Sequence, residues 1–561
     1  MTGSAILHPG LWLAAAGVAA FFLRGRSRSA LLLGAPLAAL ALLWLIPEGR
    51  HAPWTVLGFD ATLLRVDRLS RLFATIFAVM AFAGALYALG QKSRVEVPAA
   101  FVYAGAAIGA VLAGDLVTLF VFWEVMAVGS TLVLWSAGQT AFAASRRYLA
   151  MHLFGGMLLM AGIAGQVAAT GSIAFETMRP DTLARALILA GFLLNAGAPP
   201  LSAWLPDAYP EASWSGMVFL SAFTTKTAVY VLLRGFAGSE ILVPIGLFMV
   251  FYGIVFAILE NDMRRILAYS IVNQVGFMVT GAGIGTDMAV NGAAAHAFTH
   301  IIYKGLLLMS AGAVLLQTGK RKCTDLGGLF QSMPLTAACG IVGALSISSF
   351  PLTSGFVSKS MISQAAVDGH LQAVWLALAA ASAGVFLHAG IKFPWFVFFQ
   401  KDSGLRPPEP PASLRAAMVL FAFLCLAIGI FPGPLYAMLP YPVDYVPYTA
   451  GHVIEMLQLL LFSGLAFFLL LPMLRRTLTI TLDTDWTWRR LAPAMWAPVE
   501  GTIVVLRRAI LGPSRVLAER AAAAVARFGS PSGAFGGNWA TRTMMLWVVL
   551  LLASLLLLSY R

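Results

Sequence analysis

Long apolar runs recur along the chain, separated by short polar stretches, and most approach the roughly 20 residues that a helix needs to cross a hydrocarbon layer. A backbone in lipid must satisfy its own hydrogen bonds, so the runs predict helices. Sixteen spans can be placed, near residues 5–23, 30–46, 72–89, 98–113, 115–135, 148–169, 183–205, 217–233, 241–259, 265–283, 289–316, 334–362, 372–398, 413–431, 454–474 and 543–559. The pattern predicts an all-α polytopic membrane protein.

Two of these spans are interrupted. "NAGAPPLSAWLPDAYPEASW" carries Pro199 and Pro200 at mid-membrane with Pro206 and Pro210 beyond, and "SISSFPLTSGFVSKS" carries Pro351 and Gly355. Broken helices are tolerated at that depth where they are buried in protein or line a wet cavity. Interruptions five spans apart are the trace that inverted repeats leave in transporters. Spans four to eight and nine to thirteen are therefore expected to form two five-helix repeats. An odd number of crossings turns the second upside down.

The expected divisions are N-terminal helices at 1–95, a first repeat at 96–235, a second at 236–402, and C-terminal helices at 403–475. A segment at 476–542 and a last span at 543–561 follow. The segment contains "LRRAILGPSRVLAERAAAAVARF", which suits an amphipathic helix lying on the membrane surface or a plain cytoplasmic linker.

Composition agrees with membrane residence: 60% of residues are hydrophobic and 11% charged, against roughly 25% charged in a soluble domain. A net charge of +13 would suit a nucleic-acid binder. Here, however, Lys and Arg gather between spans, as the positive-inside rule requires, so no nucleic-acid partner is expected. The clusters at 24–28, 91–94, 145–147, 264–265, 319–322, 400–402 and 475–476 fall on one face. The rule makes that face cytoplasmic, with the N-terminus outside, in the cell inner (plasma) membrane. The loop at 47–71, with Arg50, Arg65, Arg68 and Arg71, is the main exception.

The first span is followed rather than preceded by basic residues and lacks a cleavage site, so it is expected to be retained. Cys323, Cys339 and Cys425 have no paired spacing, which argues against an iron–sulfur or zinc site held by cysteines. "GAGIG" at 281–285 ends a hydrophobic span, where close helix packing explains it better than phosphate binding. No cofactor or metal is expected, and no catalytic or electron-transfer site.

Charges inside the spans carry the functional signal. Each costs roughly 2.5–3.5 kcal/mol on insertion scales, and such residues mark ion or proton routes. Glu124 lies near the middle of "LFVFWEVMAVGSTLVLW", Lys226 is central in "LSAFTTKTAVYVLL", and Lys359 follows the second interruption. In "HAFTHIIYKG", His296, His300 and Lys304 stand at four-residue steps, which puts them on one helix face at about 6 Å per step. Imidazole titrates near neutral pH, so the three read as a proton wire. Two histidines four apart can also bind zinc, but no third ligand is evident. His152, in the span corresponding to that of the wire, is a further candidate. His388 and Lys392 lie nearer a membrane end, where packing or snorkelling competes with a role in transport.

These motifs have a known counterpart. "DLVTLFVFWEVM", "PPLSAWLPDAYPEA", "TTKTAVYVLLR", "NDMRRILAYSIVNQVGFM", "HAFTHIIYKGLLLMSAG" and "FPLTSGFVSKSMI", in this order, resemble the antiporter-like membrane subunits of respiratory complex I, membrane-bound hydrogenases and Mrp-type sodium/proton antiporters. The resemblance covers about residues 60–430 and is strongest to the D-type Mrp subunit. It implies that Glu124 is the glutamate of the fifth helix, Lys226 the lysine of the eighth, Lys304 that of the eleventh, and Lys359 the charge at the broken twelfth. The family usually carries a lysine at the break of the seventh helix, where this chain has Asn195.

The expected function is that of a proton-translocating subunit of a multisubunit Na+/H+ antiporter. It would work beside other membrane subunits, with protons, alone or together with Na+, as cargo. The rival is the same kind of subunit in a redox-driven complex of the complex I or hydrogenase type. A membrane scaffold that transports nothing is a third class, disfavoured by the buried charges.

Overall fold

The computed structural model describes residues 7–473, apart from residue 57, and scattered short stretches between 483 and 554. The surface segment expected at 476–542 and the span expected at 543–559 lie largely outside the described residues. The chain divides into two units, Met1–Asp485 and Trp486–Arg561. In the second, the described stretches include a π-helical turn at Thr487–Leu491.

The first unit begins with α1 (Pro9–Phe22) and α2 (Gly25–Leu45), then β1 (Gly49–Val56) and β2 (Phe59–Val66). Next come α3 (Arg68–Tyr87), α4 (Glu96–Leu112), α5 (Leu116–Trp135) and α6 (Gln139–Thr170). The first broken span is α7 (Leu183–Ala196) and α8 (Trp204–Ala208). It leads into α9 (Gly216–Leu220), α10 (Thr224–Gly235), α11 (Leu242–Leu259), α12 (Met263–Ile284) and α13 (Asp287–Thr318). The second broken span is α14 (Pro334–Ile347) and α15 (Ser354–Asp368). Then follow α16 (Gln372–Val385), α17 (Ala412–Ile430), α18 (Gly433–Ala437) and α19 (Ala450–Leu469).

Among the described residues, eleven helical stretches are long and apolar enough to cross a membrane, and α1, α4, α7 and α14 are shorter apolar helices. The stretches through α9–α10, α12 and α13 are almost wholly enclosed by other helices, whereas α2, α6 and α19 leave most of their surface uncovered. The enclosed helices are also those that carry Lys226, His296, His300 and Lys304.

Local chemistry sets the boundaries. The Asp67 carboxylate accepts from the Ser70 N–H while the Ser70 hydroxyl receives the Asp67 N–H, a reciprocal cap that opens α3. Asp115, Thr182, Asp262 and Thr286 cap α5, α7, α12 and α13 in the simpler way.

One region departs from the all-α expectation. The loop at 47–71 contains the antiparallel β1–β2 hairpin, with Gly49 opposite Val66 and Val56 opposite Phe59. Asp115 Oδ2 accepts from the Thr62 N–H at 2.8 Å, which pins the hairpin to the head of α5. Hydropathy alone could not find it, because its polar residues read as a connecting loop.

Both interruptions expected from the sequence are present. At the first, the Trp204 indole N–H donates to the Leu194 carbonyl at 3.1 Å, replacing a lost helical bond. At the second, a Cβ on Gly355 would stand 1.8 Å from the Ser346 carbonyl oxygen, so only glycine allows this crossing. A third interruption, Ser221–Phe223 between α9 and α10, has neither proline nor glycine. There the Thr224 N–H donates to the Tyr103 hydroxyl at 2.9 Å, and Lys226 Nζ donates to the Ser221 carbonyl at 2.7 Å. The thirteenth span is also irregular: α16 continues into π-helical segments at Phe386–Lys392 and Trp395–Phe399, on either side of Pro394, which has no N–H to donate.

The two halves share particulars. Helices α6 and α13 each have 32 residues, and α7 and α14 each have 14. The chain after α6 bridges back to the cap of α5, Asp115 with Ala174, and the chain after α13 bridges back to the cap of α12, Asp262 with Lys322. His152 and His300 are both fourteenth in their helices, counting from 139 and from 287.

Candidate functional site

The three α13 residues stand on one buried face, as their spacing requires, and none is exposed to any measurable extent. His296 is held from three sides: Nδ1 lies 3.3 Å from the Ser358 hydroxyl, and Nε2 lies 3.1 Å from Gln274 Oε1 and 3.3 Å from the Tyr303 hydroxyl. Lys304 Nζ donates to the Ser270 hydroxyl at 2.8 Å. His300, between them, has no hydrogen-bond partner at either ring nitrogen; Tyr303 meets its ring edge-on at 5.2 Å. Ring centroids of His296 and His300 are 6.2 Å apart.

Lys226 is also fully buried. It sits in the first turn of α10, where its ammonium covers the Ser221 carbonyl and the Thr225 hydroxyl. It lies within electrostatic range of His296, His300 and Lys304 on α13. Lys226 and Glu124 form no ion pair with each other among the described residues.

Glu124 is half-buried on α5 and faces α6 instead. A Cβ on Gly156 would fall 2.1 Å from its Oε1, so the carboxyl rests on bare backbone that glycine alone exposes. That oxygen has no hydrogen-bond partner. One turn away on α6, His152 packs its ring on Tyr148 at 4.1 Å and on Trp204 at 4.7 Å. Asn195 is buried at the end of α7, near both Gly155 and His152, and its Oδ1 is unpartnered. The break after α7 therefore presents an uncharged amide.

On the far side, Lys359 is buried without a hydrogen-bond partner, 5.0 Å above the Phe277 ring. His388, in the first π-helical segment, binds the Gly384 carbonyl through Nδ1 at 2.8 Å and lies within electrostatic range of Lys304, Lys359 and Lys392. Lys392 donates to the carbonyls of Ala257, Ile258 and Glu260, which are orphaned at the end of α11. Its geometry is that of a helix cap.

Several members of this polar line escape a reading by charge alone. Tyr148 donates to Ser130 at 2.9 Å, Tyr103 pairs with Thr224 at 2.6 Å, and Gln274 and Ser358 hold His296. Tyr148 stands four residues before His152, and that spacing is the one available signal. The polar groups gathered here are carboxyl, imidazole, ammonium, hydroxyl and amide. No group of three or more metal-ligating side chains occurs among the described residues.

Outside the spans, Asp67 binds Arg234 through both carboxylate oxygens at 2.7 Å and Arg65 at 3.3 Å. Burial alone would raise its carboxyl, but Arg234, the Ser70 N–H and Arg65 outweigh it and hold the group below its ordinary value.

Known proteins share the sequence and the fold. Residues 113–386 match the family described as NADH:quinone oxidoreductase/Mrp antiporter, TM. The N-type subunit of the NADH-quinone oxidoreductase of Desulforudis audaxviator is 31% identical over 356 residues, 58% of this chain and 70% of that protein. The D-type subunit of the Na(+)/H(+) antiporter of Alkalihalophilus pseudofirmus is 32% identical over 45% of this chain and 55% of its own length. The A/B-type subunit of a probable K(+)/H(+) antiporter of Rhizobium meliloti is 30% identical over 67% of this chain and 41% of its own. The chain thus spans about half the length of these two antiporter relatives.

Among solved structures, the membrane-bound sulfane sulfur reductase, an archaeal respiratory membrane complex, has a chain that superposes with a TM-score of 0.71 at 25% identity, covering 98% of this chain and 99% of that one. A chain of the Mrp complex from Dietzia sp. DQ12-45-1b shares the fold, with a TM-score of 0.68 at 21% identity over 82% of this chain and 98% of its own. The chain belongs to the NADH:quinone oxidoreductase/Mrp antiporter family of membrane proteins.

Proposed function

We propose that the chain is the proton-translocating subunit of a multisubunit cation/proton antiporter in the cell inner membrane, with its N-terminus outside. One observation carries the reading: Lys226, His296, His300, Lys304 and Lys359 are all buried, with Lys226 in electrostatic range of the three α13 groups, and these lysines have no acidic counter-ion among the described residues. An uncompensated charge at such depth is costly, so groups placed this way suit a moving charge better than a static scaffold.

In this reading Glu124 takes protons in, with His152 and Asn195 beside it, and Lys226 passes them to His300. His296 and Lys304 flank that step, Lys359 ends the buried file and His388 tunes its field. Lys392 belongs to helix capping. Eleven long and four shorter apolar helices support the first fifteen of sixteen spans; the last, at 543–559, lies largely outside the described residues. The recurrent helix lengths, bridges and histidine positions support inverted repeats at 96–235 and 236–402. Other membrane subunits would complete the assembly, with Na+ as the countertransported ion.

The test is transport by the reconstituted complex, followed with a pH-sensitive dye inside vesicles. Glu124→Gln and Lys226→Ala should each abolish most ion-driven pH change while the complex still assembles; wild-type rates in both would sink the proposal.

A second reading has support of its own. The respiratory reductase chain aligns with 98% of this one, against 82% for the Mrp chain, which favours a redox-driven complex with the same file. Iron and sulfide analysis of the purified complex decides: substantial iron would favour this reading, and its absence beside small antiporter subunits the first.

A further inference from the structure

The buried file needs a way out beyond Lys359. A cavity of about 80 Å³ begins at that lysine, between α15, α16 and α19. Its polar lining includes Ser360, Ser363, Ser382, Tyr445, His452 and Glu455. Exposure rises along it: Lys359 is 2% exposed and Ser382 3%, Ser363, Tyr445 and His452 are half-buried, and Glu455 is exposed. The volume admits a short file of water, and hydroxyls supply the two to four partners each molecule needs.

His452 is built as a proton acceptor. Its Nδ1 lies 2.8 Å from the Pro447 carbonyl, and a carbonyl only accepts, so Nδ1 carries the hydrogen and Nε2 keeps its lone pair. The ring is stacked on Phe356 at 4.5 Å, which fixes its plane. Glu455 follows three residues later on the same face of α19. The other ionisable groups near the cavity are Tyr445, with Asp368 in electrostatic range of it, and His296 and His388, both in range of Lys359; α16 contributes none.

We propose that this cavity is the outlet of the proton route. The Lys359 ammonium gives its proton to water in the cavity, His452 Nε2 receives it, and the Glu455 carboxylate carries it to the outer solution. The inference rests on the transport reading above, but its new members, His452 and Glu455, lie outside the family motifs.

The experiment introduces Ser363→Cys and Ser382→Cys separately into the complete complex, where Cys323, Cys339 and Cys425 are buried. A membrane-impermeant methanethiosulfonate is then added to one face at a time. Both new thiols should react from the outer face only, and modification should cut transport at least tenfold. His452→Leu should slow transport by a similar factor, and imidazole added outside should restore part of it, which a purely structural loss would not allow. Absence of labelling, labelling from the inner face, or wild-type rates in His452→Leu would overturn the outlet. Labelling does not depend on transport: a complex insensitive to Lys359→Ala would overturn the transport reading instead.

Discussion

Glu124 and Gly156 show how far one missing methyl reaches. The carboxyl tip occupies the space that a Cβ at 156 would need, and a flexible side chain can yield where a backbone cannot. Gly156→Ala should therefore fold and assemble normally but displace the carboxyl, lowering transport about tenfold to a hundredfold, the scale of a misplacement of roughly 1 Å. Normal transport in vesicles from a stable variant would show that Glu124 needs no fixed seat. His300 offers the complementary test. Replacing it opens a gap of about 12 Å between its neighbours on the helix. His300→Gln should keep part of the activity, since an amide can still organise water; His300→Leu should lose nearly all of it, read as initial rates between pH 6 and 9. The charged members of the file were legible because a charge stands out in an apolar run. Tyr103, Tyr148 and Gln274 were not, since buried aromatic and amide residues read as ordinary packing until their partners are known.

Among the elements, the breaks punctuated by proline and glycine were visible, and the one at Ser221–Phe223 was not. Serine and threonine end a helix only when something takes up the freed polar groups, here Tyr103 from a distant segment and Lys226 from the next turn. Propensity cannot supply such long-range information. The β-hairpin was missed for a related reason, because its anchor, Asp115, lies 53 residues beyond Thr62, the residue it holds. The break between α14 and α15 leads to a prediction of the opposite kind from Gly156. There the obstacle to a Cβ is the backbone oxygen of Ser346, which has nowhere to go. Gly355→Ala should destabilise the protein by about 1–3 kcal/mol or more, as overpacking does. A lower thermal midpoint and reduced yield of the complex would be the signature, and an unchanged midpoint would mean that the break relaxes easily.

For the molecule as a whole, the arginine-rich loop that breaks the charge rule is tied down by Asp67, which caps α3 and pairs with Arg65 and Arg234. Because its folded carboxyl lies below its ordinary value of 3.8, its stabilising effect is complete above that pH and fades as pH falls through the lower folded value. Asp67→Ala should lower the thermal midpoint at pH 7, with the lost cap alone costing about 1 kcal/mol. Its deficit against wild type should shrink below pH 4; a constant difference across pH would mean that the carboxylate charge contributes nothing. The matching places of His152 and His300 in two equally long helices have a kinetic consequence. If the halves are successive sections of one route, they act as resistances in series, and the larger sets the current. Combining His152→Leu with His300→Leu would then slow transport little beyond the worse single change. Two separate conduits would act in parallel, each losing its own share, so that the double variant alone would bring the flow to a halt.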